Sequence, residues 1–330
     1  MPAWVDQVPG PHDPLPDQVE QFLDWQRVQR NRPATTVRAY RQDLAKFVAY
    51  MRTRPLTDEF CTGIDRVVLR RYQIELADVL TNPRTRARAS VALRRFLAYA
   101  YDEGWIAPEL SRQVMVPRYV VGDPHPIPTE KVPRLLAALP RDCLRDLRDR
   151  ALVHLLISTG CRISEACALD RGDIHAEGFR VLGKGGKYRS VFLTDDALAA
   201  VRQYLGSRGP DPSPALFISV ARAELPNGRA LPHNRLTTDG ARRALAALRR
   251  RMGESPELFE LVADLRSPHA ARHTAATTLL EATDGDVRLV QEVLGHATLE
   301  TLRVYTEITD RRKRAAYRRL GEYLQEVAQR

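Results

Sequence analysis

The chain has 330 residues, which suggests two domains, and 44% of them are hydrophobic, so sizeable cores are possible. A formal net charge of +10 and a pI near 9.7 favour a polyanionic partner, above all nucleic acid, although an arginine-rich composition alone would produce the same charge. The four cysteines lack metal-ligand or disulfide-framework spacing, no signal peptide is visible, and no apolar run approaches the ~18 residues that span a membrane. We therefore expect a reduced cytoplasmic protein with no membrane partner.

The first part of the chain predicts an all-helical N-terminal domain. Proline, glycine and aspartate dominate residues 1–16, which predicts a flexible arm. Apolar residues at helical spacing predict a helical domain over 17–106, and five prolines in the next stretch predict a linker over 107–128. The helices of this domain are expected in the stretch after residue 16 and at 36–51, 64–80 and 84–103.

The second part, residues 129–330, predicts a mainly α domain with a small antiparallel β-sheet, an α+β fold. Phe179–Gly183 and Tyr188–Leu193 are rich in β-branched and aromatic residues and flank a turn with two glycines, a pattern typical of a hairpin. The other predicted elements are helices at 129–139, 144–159, 194–206 (capped by Thr194), 238–252, from Pro268 through Leu280, at 287–294 (capped by Asp286, ended by Gly295), a short one from Thr298 that contains Tyr305, and an amphipathic helix over the last 20 residues.

Two features of the predicted hairpin and the preceding helix point to chemistry. Only five of the 51 lysine and arginine residues are lysines, and two of these, Lys184 and Lys187, lie in the hairpin turn. Lysine can deliver a proton, which arginine effectively cannot; chance is the alternative explanation. Arg162 stands between a core helix and a new one, and Glu165 would share its helical face and hold its guanidinium. An ordinary salt bridge is the alternative there.

The segment SPHAARHT places three polar residues on one predicted helix. His269 and Arg272 are three residues apart, and His269 and His273 are four apart, so either pair shares a face. Two histidines at that spacing can bind zinc. However, Arg272 between them would repel a dication, and the glutamate of zinc hydrolases is absent. Phosphate handling is therefore favoured over metal binding, and a buried structural His273 is an equal alternative.

A third segment completes a recognisable pattern. His296 follows the helix-ending glycine, and Tyr305 comes nine residues later; either alone is more often structural. Together the segments resemble the tyrosine recombinase (phage integrase) family, whose pattern is Arg, Lys in a β-hairpin, His-x-x-Arg, then Gly-His and Tyr. The chain has these residues in order at Arg162, Lys184, His269, Arg272, His296 and Tyr305. The strings similar to Xer-type and phage-integrase-type members are GCRISEACALD, VLGKGGKYRSVFL, PHAARHTAAT and VQEVLGHATLETLRVYT.

The resemblance covers nearly the whole chain and implies its organisation and activity. Residues 17–106 would be the DNA-clamping core-binding domain, and residues 129–330 the catalytic domain with a C-terminal tail helix. The enzyme would cut DNA through a 3′-phosphotyrosyl intermediate and rejoin it without metal or nucleotide cofactor. The implied roles are phosphate clamping by Arg162 and Arg272, a further hydrogen bond from His296, attack by Tyr305, base catalysis by His269, protonation of the leaving oxygen by Lys184, and orientation of Arg162 by Glu165.

The implied partner is a double-stranded DNA recombination site. The enzyme would act as a tetramer on synapsed DNA, alone or with a paralogous recombinase, in chromosome or plasmid dimer resolution or in element integration. The helix beyond Arg311 would pack on a neighbouring protomer or on its own domain. A type IB topoisomerase-like enzyme, a catalytically silent architectural protein and, more distantly, a zinc hydrolase using His269 and His273 are the alternatives.

Overall fold

The structure, a computed structural model, describes residues 1–54, 60–106, 109–119, 126–175, 178–182, 188–209, 211–220, 234–295 and 317–318. The chain divides by its internal contacts into two units, 1–121 and 122–330, and the division falls within the stretch predicted as a linker. The predicted fold class is confirmed: the first unit is helical, and the second is mainly helical with a two-stranded antiparallel sheet. Within the described residues, no helix is both long and apolar enough to cross a membrane.

The first unit is built around an aromatic core. Phe22 packs edge-on against Phe96 with ring centroids 5.7 Å apart, and Phe47 packs against Tyr72 at 5.0 Å. Asp65 caps the third helix by accepting a hydrogen bond from the Val68 backbone N–H at 2.7 Å. The helices are α1 (Asp17–Val28), α2 (Ala34–Arg52), α3 (Arg66–Val79) and α4 (Pro83–Asp102).

Residues on both sides of this bundle pack onto it, which corrects the prediction of a flexible arm over 1–16. Trp4 is only 2% exposed, and its indole N–H donates to Glu75 at 2.9 Å. Leu15 is buried in the same core, as are Leu110 and Val114 from the stretch predicted as a linker. The proline- and glycine-rich composition of residues 1–16 indicated irregular backbone. Burial of the Trp4 indole removes apolar surface from water and so stabilises the packing of this irregular segment on the bundle.

The second unit surrounds helix α6 (Leu144–Thr159), whose side chains are buried on nearly all sides. Helices α8 (Asp195–Ser207) and α11 (Pro268–Ala282) pack against it. The other elements are α5 (Val132–Ala138), α7 (Ile163–Ala168), α9 (Thr238–Gly253), α10 (Pro256–Val262) and α12 (Val287–Leu294). A helix buried all round is typical of the centre of a domain.

The predicted hairpin is present, with strands β1 (Phe179–Leu182) and β2 (Tyr188–Val191) paired antiparallel. Burial alternates along β1, where Phe179 and Val181 face inward. The turn at 183–187, which contains Lys184, lies outside the described residues. The predicted helix from Thr298 and the tail helix also lie outside them, apart from Tyr317 and Arg318, which are helical.

Gly160 ends α6 in a left-handed conformation with φ of 62° and lets α12 approach closely. A Cβ built on Gly160 would lie 2.3 Å from Cδ2 of the buried Leu294 and 3.3 Å from Cβ of Ala275. Any L side chain here would therefore be strained in backbone and would collide with the core.

Gly160→Ala is expected to destabilise the protein by roughly 2–5 kcal/mol, since left-handed backbone costs about 1–2 kcal/mol and overpacking about 1–3 kcal/mol. The measurement is the urea midpoint at an unchanged slope. Gly209→Ala is the matched control, because Gly209 has a φ of 70° but no atom within 4 Å of its added Cβ. Gly209→Ala should show only the destabilisation that comes from the left-handed backbone, without the cost of overpacking. Equal shifts for the two variants would contradict the close approach at Gly160.

Candidate active site

Arg162 and Glu165 are joined by two hydrogen bonds at the start of α7. Glu165 accepts from the Arg162 backbone N–H at 2.9 Å through Oε2 and from the Arg162 guanidinium at 2.8 Å through Oε1. The Glu165 side chain is 8% exposed, whereas that of Arg162 is 35% exposed. The contact predicted from their spacing is therefore present, and it holds the guanidinium while leaving part of it accessible.

A second arginine, Arg189 on β2, uses the same carboxylate. Its Nη1 donates to Oε1 of Glu165 at 3.1 Å and its Nη2 to Oε2 at 2.8 Å, a bidentate arrangement. Its Nε donates to the carbonyl of Val293, near the end of α12, at 3.1 Å. Arg189 is not among the site residues predicted from the sequence.

The charge on Glu165 is secured by these partners. Burial works to raise the pKa of its carboxyl, but the hydrogen bonds from Arg189 and Arg162 outweigh burial and hold the pKa below its usual range. The carboxylate is therefore ionised at neutral pH. One anion then links the beginning of α7 to the β-hairpin.

Arg272 on α11 is oriented by two helix ends. Its side chain is buried, and its guanidinium donates from Nη1 to the carbonyl of Gly160 and from Nη2 to the carbonyl of Leu294 at 2.7 Å. Carbonyls at helix C-termini carry partial negative charge and suit a cation. Burial, followed by repulsion from Arg162, lowers the pKa of Arg272 to about 10, so it stays protonated at neutral pH.

The two histidines of α11 differ in environment. Ser267 caps this helix by accepting from the Ala270 N–H at 3.2 Å, and Pro268 occupies its first turn. His269 is exposed, whereas His273 is half-buried. Burial, with repulsion from His269 and Arg272, lowers the pKa of His273, so it is neutral at neutral pH. In the described part of the chain, no group of three or more His, Cys, Asp or Glu residues is placed to hold a metal ion.

Among the described residues, the site has an excess of positive charge. Arg162, Arg189 and Arg272 carry three positive charges, and Glu165, with which they interact, carries one negative charge. Arg272 bonds the carbonyl of Gly160, two residues before Arg162, so segments more than 100 residues apart in sequence meet here. Guanidinium groups held in fixed positions with net charge left over can bind a phosphate.

The structure thus brings Arg162, Glu165 and Arg272 together and puts His269 on the helix of Arg272. The remaining predicted site residues, Lys184, His296 and Tyr305, lie outside the described residues. Their predicted roles stay predictions.

Comparison with known proteins agrees with this architecture. Residues 126–312 match the phage integrase family, and residues 19–104 match the phage integrase N-terminal SAM-like domain. The chain is 33% identical over 303 residues to the tyrosine recombinase XerD of Mycobacterium tuberculosis, covering 88% of this chain and 93% of the relative.

Solved structures show the same fold. The XerH site-specific recombinase bound to palindromic difH substrate matches with a TM-score of 0.59 and 22% identity, covering 91% of this chain and 84% of that one. A lambda integrase tetramer bound to a Holliday junction matches with a TM-score of 0.58 and 17% identity, covering 85% and 76%. The chain therefore belongs to the phage integrase family and, within it, is an Xer-like tyrosine recombinase.

Proposed function

We propose that this chain cuts double-stranded DNA at a specific site with Tyr305, holds the DNA as a 3′-phosphotyrosyl ester and rejoins it to a new strand. The observation that carries the proposal is that Arg162, bonded to Glu165, and Arg272, near enough to interact electrostatically with both, form a group of described residues with net positive charge. A phosphodiester is an anion, so a nucleophile can approach its phosphorus only if that charge is balanced. Two oriented guanidinium groups supply the balance.

The two arginines would clamp the non-bridging oxygens of the scissile phosphate. Arg162 has its guanidinium partly exposed, and Glu165 fixes its orientation. Arg272 uses two of its five N–H groups on the carbonyls of Gly160 and Leu294. The guanidinium of Arg272 is thereby oriented before DNA binds. Preorganised donors need no reorganisation when charge develops in the transition state. His296 would add a further hydrogen bond.

Proton transfers would be divided between two residues. A phenol has a pKa near 10, so Tyr305 needs a base and cationic neighbours to attack phosphorus at neutral pH. His269, exposed on α11 three residues before Arg272, is the candidate base. Lys184 would protonate the 5′ oxygen as it leaves. The phosphotyrosyl ester keeps the energy of the broken bond, so a 5′ hydroxyl from another strand can attack it and no nucleotide is consumed.

Recombination would require a tetramer on two paired DNA sites, because each exchanged strand needs its own nucleophile. Related proteins are seen as a tetramer on a Holliday junction and as a complex with a recombination substrate. We propose self-assembly of this kind, with a paralogous recombinase as the alternative partner. The arginines of α9 would contact phosphates without reading sequence. The reaction belongs in the cytoplasm, with the DNA, and serves dimer resolution or element integration.

The test is capture of the covalent intermediate on DNA of unknown sequence. The protein is mixed, in EDTA, with a pool of randomised duplexes, each nicked near its centre. Cleavage close to the nick releases a short fragment with the 5′ hydroxyl, so the ester cannot reverse. We expect an SDS-resistant adduct whose DNA converges on one sequence, and strand exchange between two intact duplexes that carry it.

The other outcomes identify the alternatives. Relaxation of a supercoiled plasmid without a selected sequence would favour a topoisomerase-like enzyme. Tight DNA binding with no adduct on any duplex of the pool would favour an architectural protein. A reaction abolished by EDTA and restored by zinc would overturn the metal-free mechanism.

A further inference from the structure

Arg189 is the point at which three segments of the second unit are tied together. It lies on β2 with its side chain 12% exposed, and the side chain of its partner Glu165 is 8% exposed. Its three donors make the bidentate contact with Glu165 and a hydrogen bond to the carbonyl of Val293. One side chain thereby connects the β-hairpin, the beginning of α7 and the end of α12.

The geometry requires arginine and not merely a positive charge. The planar fork reaches both oxygens of Glu165 while Nε bonds a carbonyl in a different direction. The ammonium of lysine is a single point and cannot span these three acceptors. The arrangement is also closely packed, because a Cβ added at Gly295 would lie 3.1 Å from Nη1 of Arg189 and 3.2 Å from its Cδ.

The residues adjoining these contacts are those to which the proposed reaction assigns chemistry. Lys184 precedes Arg189 by five residues on the hairpin, and His296 directly follows Gly295. Glu165, the anion that Arg189 holds from one side, holds Arg162 from the other. Without Arg189, Glu165 would keep hydrogen bonds only to Arg162, the residue that it has to orient, and would lose the two bonds that fix it to the hairpin.

We propose that Arg189 is a positioning residue for DNA cleavage: by fixing Glu165 it fixes the guanidinium of Arg162 at the phosphate. The proposal rests on the function proposed above. It requires that loss of Arg189 slows the chemical step more than it weakens DNA binding. A purely structural role would instead lower the stability and leave the rate per folded molecule unchanged.

The experiment compares Arg189→Gln and Arg189→Lys with the wild type on the nicked duplex selected by the wild type. The readouts are the single-turnover rate of adduct formation at saturating protein, the Kd for the intact duplex and the thermal midpoint. Arg189→Gln should slow cleavage roughly 10- to 100-fold, the scale of a misplaced reacting group, with a much smaller change in Kd. Arg189→Lys should not restore the rate, because it keeps the charge but not the fork.

Arg180→Gln is the matched control, because Arg180 is an exposed arginine on the other strand of the same hairpin. It removes the same charge and should leave the cleavage rate at saturation unchanged. A double-mutant cycle with Glu165→Gln completes the test. If Arg189 acts through Glu165, the double variant should cleave about as slowly as the slower single variant.

Two results would overturn the positioning role. One is a cleavage rate per folded molecule of Arg189→Gln equal to that of the wild type; the other is losses that multiply in the double variant. Failure of the proposed function gives a different result, since the wild type itself would then form no adduct with any duplex.

Discussion

Tyr305→Phe is expected to abolish the covalent DNA adduct, a loss of at least about 10⁴-fold in the cleavage rate, the scale seen when a nucleophile is removed. The substitution removes only the phenolic oxygen that would bond to phosphorus and keeps the ring. DNA binding should therefore change little, because phosphate contacts by arginine supply most of the affinity. The measurement is adduct formation on the nicked duplex selected by the wild type, with Kd measured on the intact duplex.

The site of attachment can be identified directly. Trypsin cleaves after Arg303 and Arg311, and the peptide between them contains Tyr305 as its sole tyrosine. After nuclease trimming, this peptide should carry the mass of a nucleotide phosphate. Tyr317→Phe is the matched control, since Tyr317 is an exposed tyrosine twelve residues further on and should leave the adduct intact. A nucleotide found on any other tyrosine would refute the assignment.

Helix ends in this chain were predictable because capping is decided within one turn of the backbone. Thr194 and Asp286 accept hydrogen bonds from N–H groups three residues on, as their positions predicted. Gly295 ends α12 with a φ of 69°, a conformation that glycine adopts without cost. Helix α6 begins and ends at the predicted residues, 144 and 159, since Gly160 stops it.

Elements whose signals are short or tertiary were not predictable in the same way. Helix α10, Pro256–Val262, has only seven residues, too few for a helical period to stand out, although Ser255 followed by Pro256 is a usable start signal. Trp4 packs on a surface formed by α2 and α3, and the sequence near residue 4 carries no signal for that contact. The proline- and glycine-rich composition of residues 1–16 indicated irregular backbone but gave no sign that Trp4 would be buried.

The same distinction applies to the candidate site. Glu165 was found from its spacing to Arg162, because residues three apart on a helix are neighbours. Arg189 contacts a carboxylate 24 residues away and a carbonyl 104 residues away, so no short-range sequence spacing predicts these contacts. One signal was available: Arg189 pairs with Val181 across the hairpin, and Val181 is buried. An arginine on the inward face of a sheet needs a buried anion.

Arg272→Lys is expected to slow cleavage by roughly 10²–10³-fold, the usual loss when one preorganised donor to a developing anion is removed. Lysine keeps the charge, but a single ammonium cannot bond the carbonyls of Gly160 and Leu294 and also present a fork to phosphate. The measurement is the single-turnover rate at saturating protein on the selected nicked duplex. A methylphosphonate at the scissile position, which carries no negative charge, should reduce the deficit at least about tenfold, because less charge then remains for the guanidinium to stabilise.

The control must separate chemistry from stability, since Arg272 is buried. Arg208 is buried to a similar degree, pairs with Asp211 at 2.9 Å and donates to the carbonyls of Ser213 at 3.0 Å and Leu216 at 3.1 Å. Its hydrogen bonds within the described residues do not include Arg162, Glu165 or Arg272. Arg208→Lys should therefore lower the thermal midpoint as Arg272→Lys does, without lowering the cleavage rate of the folded fraction. If both variants lost rate in proportion to stability, or if the neutral phosphonate left the Arg272→Lys deficit unchanged, Arg272 would be a structural cation and not the clamp on the scissile phosphate.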